Sequence, residues 1–276
     1  GNPEKRFQED ALRLLRALRF VNIVNYQLRK KNVDNKLFDF DKTTWVALQK
    51  NSNLIENIAK ERIKEELVKV FSKWDPFWFV ALLDESRMLP IIFPSVYATK
   101  HVHQPVRYHP FDVYTHTLLT LYELQNINSD YLVRLAMLYH DVGKVAQFSA
   151  YKDELSKEEI KSILSSSLNH RKWWPELVKK DFSDLGFSNK EINLIAWYVA
   201  NHHKVEEILD NQDLDQRKKK LRKFLSESSH QQVENILDIT MADRHWQYNP
   251  LQNNSDIKDV ILIRKLLHQI HKEEWQ

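Results

Sequence analysis

Apolar positions recur along this chain at steps of three and four, the spacing that places side chains on one face of an α-helix. Phe7, Ala11, Leu14, Leu18 and Val21 keep that rhythm, while Arg6, Glu9, Asp10 and Arg13 gather on the opposite side. The pattern predicts one amphipathic helix from Arg6 to Tyr26, followed by a polar loop from Lys30 to Asp41. A second helical region is expected from Thr43 to Val70, with Ile63, Leu67 and Val70 in register, and then a Trp- and Phe-rich helix from Pro76 to Leu83. Pro90, Pro94, Pro105 and Pro110 are expected to break any helix between Leu89 and Pro110, which makes that stretch the expected domain boundary. Beyond it the pattern predicts helices over Val113 to Gln125, Tyr131 to Asp141, Lys157 to Leu168, Lys190 to Lys204, Arg217 to Ser226, Gln231 to Asp243 and Asp256 to Glu274. Ser188-Asn189-Lys190-Glu191 has the spacing of a capping box just ahead of an apolar run. The expected fold class is all-α.

Composition narrows the picture. The 276 residues suffice for one large or two ordinary domains, and 29% charged with 42% hydrophobic residues describe a globular chain. The longest apolar stretch, Phe77 to Leu83, is far too short to span a membrane, and no targeting motif opens the chain, so no membrane partner is expected and a cytoplasmic location is. Absence of cysteine rules out a disulfide framework. Glycine occurs only at Gly1, Gly143 and Gly186, so no Gly-rich phosphate loop can be written, and nucleotide handling must use side chains and metal. The net charge of +3 permits a nucleic-acid partner without demanding one.

Within this helical frame four residues share one chemistry. His116, the adjacent His140 and Asp141, and the distant Asp243 offer imidazole and carboxylate ligands. That donor set suits a divalent Mg, Mn, Fe, Co or Ni ion better than a closed structural zinc. For any one of these histidines a buried hydrogen bond is the favoured reading; the combination shifts the balance toward metal. Gly143 is expected to close the helix that delivers His140 and Asp141 into a cleft, and Lys144 is a candidate phosphate-binding cation. His170 and the pair His202-His203 could supply a second metal or a proton donor, and the spacing leaves open whether His202 or His203 faces inward.

The ordered set His116, His140-Asp141-Val142-Gly143-Lys144, His170, His202, Asp243 resembles the HD superfamily of metal-dependent phosphohydrolases from about Tyr108 to Trp246. The resemblance implies an all-helical domain, one or two divalent ions and a metal-activated water attacking a phosphoester. It implies that His116, His140, Asp141 and Asp243 hold the first ion and that Lys144 steadies the phosphate. His140, Asp141, Lys144, His170 and His202 then form the catalytic set.

A second resemblance begins at the opening of the chain. Taken alone, Arg6 to Phe20 reads as a surface helix with Glu9/Arg13 and Asp10/Arg13 pairs. As a string it closely resembles the neck of tRNA nucleotidyltransferases and bacterial poly(A) polymerases, whose Glu-Asp-x-x-Arg motif reads the incoming nucleotide. Ile58 to Leu67 and Leu89-Pro90-Ile91-Ile92-Phe93-Pro94 look like the body of that family. The resemblance implies that Asp10 and Arg13 contact the base of CTP or ATP, that Glu9 holds Arg13, and that Arg16 joins the nucleotide-binding set. It divides the chain into a neck over 1–30, a helical body over 31–100, an HD metal-binding domain over 101–250 and a C-terminal helix over 251–276. The expected partners are tRNA, CTP or ATP and a separate catalytic head chain. The family's Gly-Ser and paired-aspartate head is not written here, and Asp39-Phe40-Asp41 reads as a loop coincidence, so this chain alone is not expected to transfer nucleotides. The alternatives are a stand-alone HD phosphohydrolase acting on cyclic or terminal nucleotide phosphates, and a catalytically silent RNA-binding module. Arg217 to Lys223 and Arg29 to Lys31 could track RNA phosphates, but a solvated helix face explains each more simply.

Overall fold

A computed structural model describes residues 1–32, 37–103, 111–145, 174–246 and 255–274. Among them helices carry the structure and no strand occurs. The opening segment is two helices rather than one: α1 (Pro3–Glu9) and α2 (Leu12–Lys30) meet at Asp10, whose backbone is extended (φ −151, ψ 103). The apolar rhythm runs through this break, because Phe7, Leu14, Leu18 and Val21 are all buried on its two sides. Periodicity cannot register the interruption; the Asp10 side chain makes it, drawing the Leu12 N–H to its Oδ1 at 3.2 Å in competition with the helix.

The second helical region is also divided. It comprises α3 (Lys42–Lys50), a 3₁₀ turn over Ser52–Asn57 and α4 (Lys60–Lys73). Asp41 caps α3 through the Thr44 N–H at 3.0 Å, which gives that carboxylate a structural task. α5 (Pro76–Glu85) follows, capped by Asp75. Two of the four prolines expected to forbid helix, Pro90 and Pro94, start short ones instead, α6 (Leu89–Ile92) and α7 (Pro94–Tyr97), because proline is tolerated in a first turn that needs no N–H, while Pro105 and Pro110 lie outside the described residues. Leu89, Ile92, Phe93 and Val96 there are buried.

The remaining helices are α8 (Val113–Ile127), α9 (Tyr131–Tyr139), α10 (Trp174–Asp184), α11 (Asn189–Asn201), α12 (Lys204–Leu209), α13 (Leu214–Ser226), α14 (His230–His245) and α15 (Ser255–Glu274). α9 is flanked by α8 and α11, α14 packs on α8, α10 on α11, and α15 on α14. The capping box expected at Ser188 starts α11, and a second at Ser229 starts α14. The region expected as one helix from Lys190 to Lys204 turns at His202, where α11 gives way to α12. The expected helix from Lys157 to Leu168 lies outside the described residues.

One core joins these elements. Phe93 stands 6.2 Å from Phe71 of α4 and 6.1 Å from Tyr139 of α9, and Tyr139 stands 4.7 Å from Phe182 of α10. Arg134 ties the same elements through polar groups, donating to the carbonyls of Phe71, Gln125 and Asn128 at 2.7, 2.7 and 2.6 Å. Two of those carbonyls belong to the last turns of α4 and α8, where no partner exists within the helix.

Candidate metal centre

Helix ends deliver the ligands. Asp112 caps α8 through the Thr115 N–H at 2.9 Å, and one residue further His116 turns to the buried side beside Thr117 and Thr120. α9 stops at Tyr139, two residues short of the expected Asp141, and His140 is its C-cap. His140 Nδ1 donates to Met137 O at 2.7 Å, which directs Nε2 inward. A tight turn follows, Lys144 N bonding Asp141 O at 3.0 Å, while the left-handed glycine among the described residues is Gly186 rather than Gly143. Asp243 arrives from the last turn of α14.

These side chains converge. His116 Nε2 lies 2.9 Å from Asp243 Oδ1 and 3.9 Å from Asp141 Oδ2. His140 Nε2 lies 3.3 Å from Asp141 Oδ2 and 3.7 Å from Asp243 Oδ1. One ligand atom from each of His116, His140 and Asp243 falls within 4.8 Å of the others. Lys144 Nζ bonds Asp141 Oδ2 at 2.6 Å. His202 settles which of its pair faces inward: it is buried with its ring 5.4 Å from that of His140, whereas His203 bonds Glu206 at 3.0 Å. His170 lies outside the described residues.

Charge balance supports a cation site. Burial pushes the Asp141 carboxyl up, but Lys144 and the neighbouring imidazoles outweigh it and hold the group well below the usual carboxylate range. At Asp243 burial is likewise outweighed, here by the His116 bond and charge, and the group lies well below its usual range. Burial lowers His140, yet Asp141 beside it carries the balance upward. His202 goes the other way: burial and then the nearby His203 and His140 rings keep it neutral well below its usual value. Two buried carboxylates stay ionised, while His140 Nε2 and Asp141 Oδ1 are shielded from solvent and make no hydrogen bond among the described residues. Buried polar atoms rarely go unsatisfied, and these fit the donors of a divalent ion.

Comparison with known proteins agrees with this reading. The HD domain family model matches residues 113–245, and the model described as "Probable RNA and SrmB- binding site of polymerase A" matches residues 37–99. The chain carries an HD domain. It is also similar to the Multifunctional CCA protein of Shewanella denitrificans, 31% identical over 142 residues, and to that of Nitrosococcus oceani, 33% identical over 139 residues. Each match covers 50% of this chain and 32% of the relative, so the chain aligns with about a third of those proteins. The family expected from the sequence is the one these matches return.

Ahead of the HD domain, the neck motif has a different geometry. Arg13 Nη1 bonds Glu9 Oε2 and Arg6 O, both at 2.9 Å. The expected Asp10/Arg13 pair does not form: Asp10 sits in the break between α1 and α2, bonds the Leu12 N–H and meets Arg62 at 3.5 Å. Arg16 is exposed, its guanidinium 6.0 Å from the Phe20 ring. No described helix is long and apolar enough to cross a membrane.

Sequence reading missed a groove of about 620 Å³ among α2, α5, α8 and the end of α14, lined by Tyr26, Arg29, Trp78, Tyr122 and Trp246. Trp78 and Tyr122 are 40% and 42% exposed. Arg29 lies 5.4 Å from the Trp78 ring and bonds Asp75 at 2.7 Å, which anchors it there. Trp246, the C-cap of α14, follows Asp243 by three residues.

Proposed function

We propose that this chain acts in tRNA 3′-end maturation as the RNA-holding and nucleotide-reading part of a CCA-adding enzyme, with an HD domain that is a metal-dependent phosphohydrolase. The observation that carries the hydrolase is the buried convergence of His116, His140, Asp141 and Asp243, with both carboxylates ionised. A divalent ion of the Mg, Mn, Ni, Co or Fe kind held there would supply a Lewis acid for a phosphoester and a source of nucleophilic water. The protein's own groups do the rest. Lys144 attracts the phosphate, and His202, with Nδ1 committed to Val199 O at 2.6 Å, presents Nε2 as a proton acceptor or further ligand.

The RNA reading rests on the region matched over 37–99, the names of the similar proteins and the aromatic, cationic groove. Exposed rings beside Arg29 and Lys30 suit an unpaired 3′ end, whose bases stack while its phosphates meet cations. In the neck, Glu9 fixes Arg13 so that its guanidinium donors and the Asp10 carboxylate can read the base of CTP or ATP, with Arg16 beside them. Nucleotidyl transfer is assigned to a head with paired carboxylates, on this polypeptide or another.

The hydrolase is tested by loading the protein with Ni²⁺, Mn²⁺ or Mg²⁺ and following hydrolysis of 2′,3′-cyclic nucleotides and terminal nucleotide phosphates. Inactivity with every ion overturns it. The tRNA reading is tested by mixing the chain with a folded head and measuring CMP or AMP addition to tRNA; no addition by the associated pair sinks it. The close Lys144–Asp141 bond favours a second reading, a silent RNA-binding module in which lysine supplies the neutralising charge. Its signature is salt-dependent tRNA binding unchanged by His140→Ala or Asp141→Ala, in a protein that hydrolyses nothing.

A further inference from the structure

At the end of α14 opposite Asp243, this helix and α15 bring together a second group of imidazoles. His230 and Glu234 are four residues apart on α14, and His268 and His271 three apart on α15, so each pair shares a helix face. The packing of α15 on α14 turns the pairs toward one another. His268 Nε2 is 2.7 Å from Glu234 Oε1, and the His230 ring is 4.6 Å from that of His271 and 6.1 Å from that of His268. One ligand atom from each of His230, Glu234 and His268 lies within 4.8 Å of the others.

We propose that His230, Glu234, His268 and His271 form a surface site for a late first-row divalent ion, zinc above all, that clasps the C-terminal helix to the HD domain. Three imidazoles and one carboxylate suit Zn²⁺, Ni²⁺ or Cu²⁺ rather than Mg²⁺. Tetrahedral zinc with bonds of about 2.0–2.1 Å sets its ligands roughly 3.4 Å apart, so closure requires a small rotation of side chains. His268 and His271 are exposed and free of core packing constraints, so that rotation is accessible. A second observation points the same way: His230 Nε2 is shielded from solvent and makes no hydrogen bond among the described residues.

The competing arrangement is a purely ionic rim. Arg264 meets Glu234 at 3.1 Å and Asp238 at 2.6 Å, and with His268 these residues could close the helix contact without metal. That rim gives the shielded His230 Nε2 no hydrogen bond among the described residues.

The test uses the full chain, metal-stripped and titrated with Zn²⁺ alone, beside the His268→Ala/His271→Ala double variant and the His230→Gln variant. Metal content, calorimetric titration and melting temperature are read for each. The wild type is expected to hold one zinc equivalent that the double variant loses, with binding at that site weakened at least about tenfold by His230→Gln, since even outer-shell partners are worth that much. The zinc-dependent rise in melting temperature should vanish with that equivalent, while metal-dependent hydrolysis at the HD site persists. Co²⁺ provides an independent readout, because a tetrahedral site yields visible absorption that either variant should abolish. Equal zinc content and affinity in wild type and double variant overturns the proposal, as does a double variant that melts lower without zinc and binds zinc as the wild type does.

Discussion

The contacts between Arg13 and Glu9 and between His116 and Asp243 have the same length, 2.9 Å, and opposite meaning. The first is on the surface, its side chains 38% and 43% exposed; the second is buried at 1% and 6%. In water such a pair is worth a few tenths of a kcal/mol and its partners exchange readily. In the interior the same contact cannot be broken cheaply, because a buried polar group left alone has no solvent to take its partner's place. The difference separates two kinds of functional site. The Arg13–Glu9 pair leaves its donors at the surface, whereas the buried cluster turns its donors toward one central point.

The comparison breaks most visibly at Asp243. Asp243→Ala strips the buried partner from His116, so equilibrium unfolding should show a loss of about 3–5 kcal/mol, together with loss of divalent metal from the HD site. A variant as stable and as metal-loaded as the wild type would place the pair in the surface class. An intermediate case is the groove. Trp78→Ala or Tyr122→Ala should weaken binding of a single-stranded RNA end by about 1–3 kcal/mol per ring, measured by fluorescence anisotropy at fixed salt, and leave HD metal content unchanged. Unaltered affinity in both would assign those exposed rings to packing alone.

This contrast also explains what was legible in the sequence. The four candidate ligands that converge could be named because ionisable groups inside apolar helices have few ways to be satisfied, so type and order constrain their geometry. Helices could be placed where apolar spacing was unbroken, as in α8 and α9. α10 went unseen because an inward position is Asp181, a carboxylate that accepts from Tyr139 Oη at 2.9 Å and Ser95 N at 3.1 Å and interrupts the stripe between Val178 and Leu185. The break at Asp10 was hidden for the converse reason, since the stripe continues across it. The choice between His202 and His203 depended on where α11 ends, and the His230 cluster on how two helices cross. Neither quantity is local.

A partly buried pair lies between the extremes. Glu191 accepts from Lys64 at 2.7 Å, from the Ser188 N–H at 2.8 Å and from the Tyr131 hydroxyl at 2.9 Å. Burial would raise its pKa, but Lys64 and the Ser188 and Tyr131 bonds outweigh it and bring it from the usual 4.5 to about 2. A carboxylate lowered on folding stabilises the protein above its unfolded pKa and loses that contribution as pH falls through the folded one. Wild-type stability attributable to Glu191 should therefore be complete above about pH 4.5 and decline toward pH 2. Glu191→Gln should cost about 1–2 kcal/mol at neutral pH and flatten that decline, read from urea midpoints across the acid range. A decline of the same steepness in the variant would return Glu191 to the surface class.

The smallest effect on stability belongs to the neck, and there the expected dissociation of stability from function is sharpest. Arg13 makes its two bonds at the surface, so Arg13→Ala should shift the unfolding free energy by no more than a few tenths of a kcal/mol. If the guanidinium reads the incoming base, the same substitution should erase discrimination between CTP and GTP in an assay reconstituted with a catalytic head. Glu9→Gln should erode it less, because Arg6 O still holds the guanidinium in place. Retained discrimination in Arg13→Ala would remove the neck from the nucleotide site. A large loss of stability would show instead that the break at Asp10 depends on Arg13, and would move this surface pair toward the behaviour of the buried one.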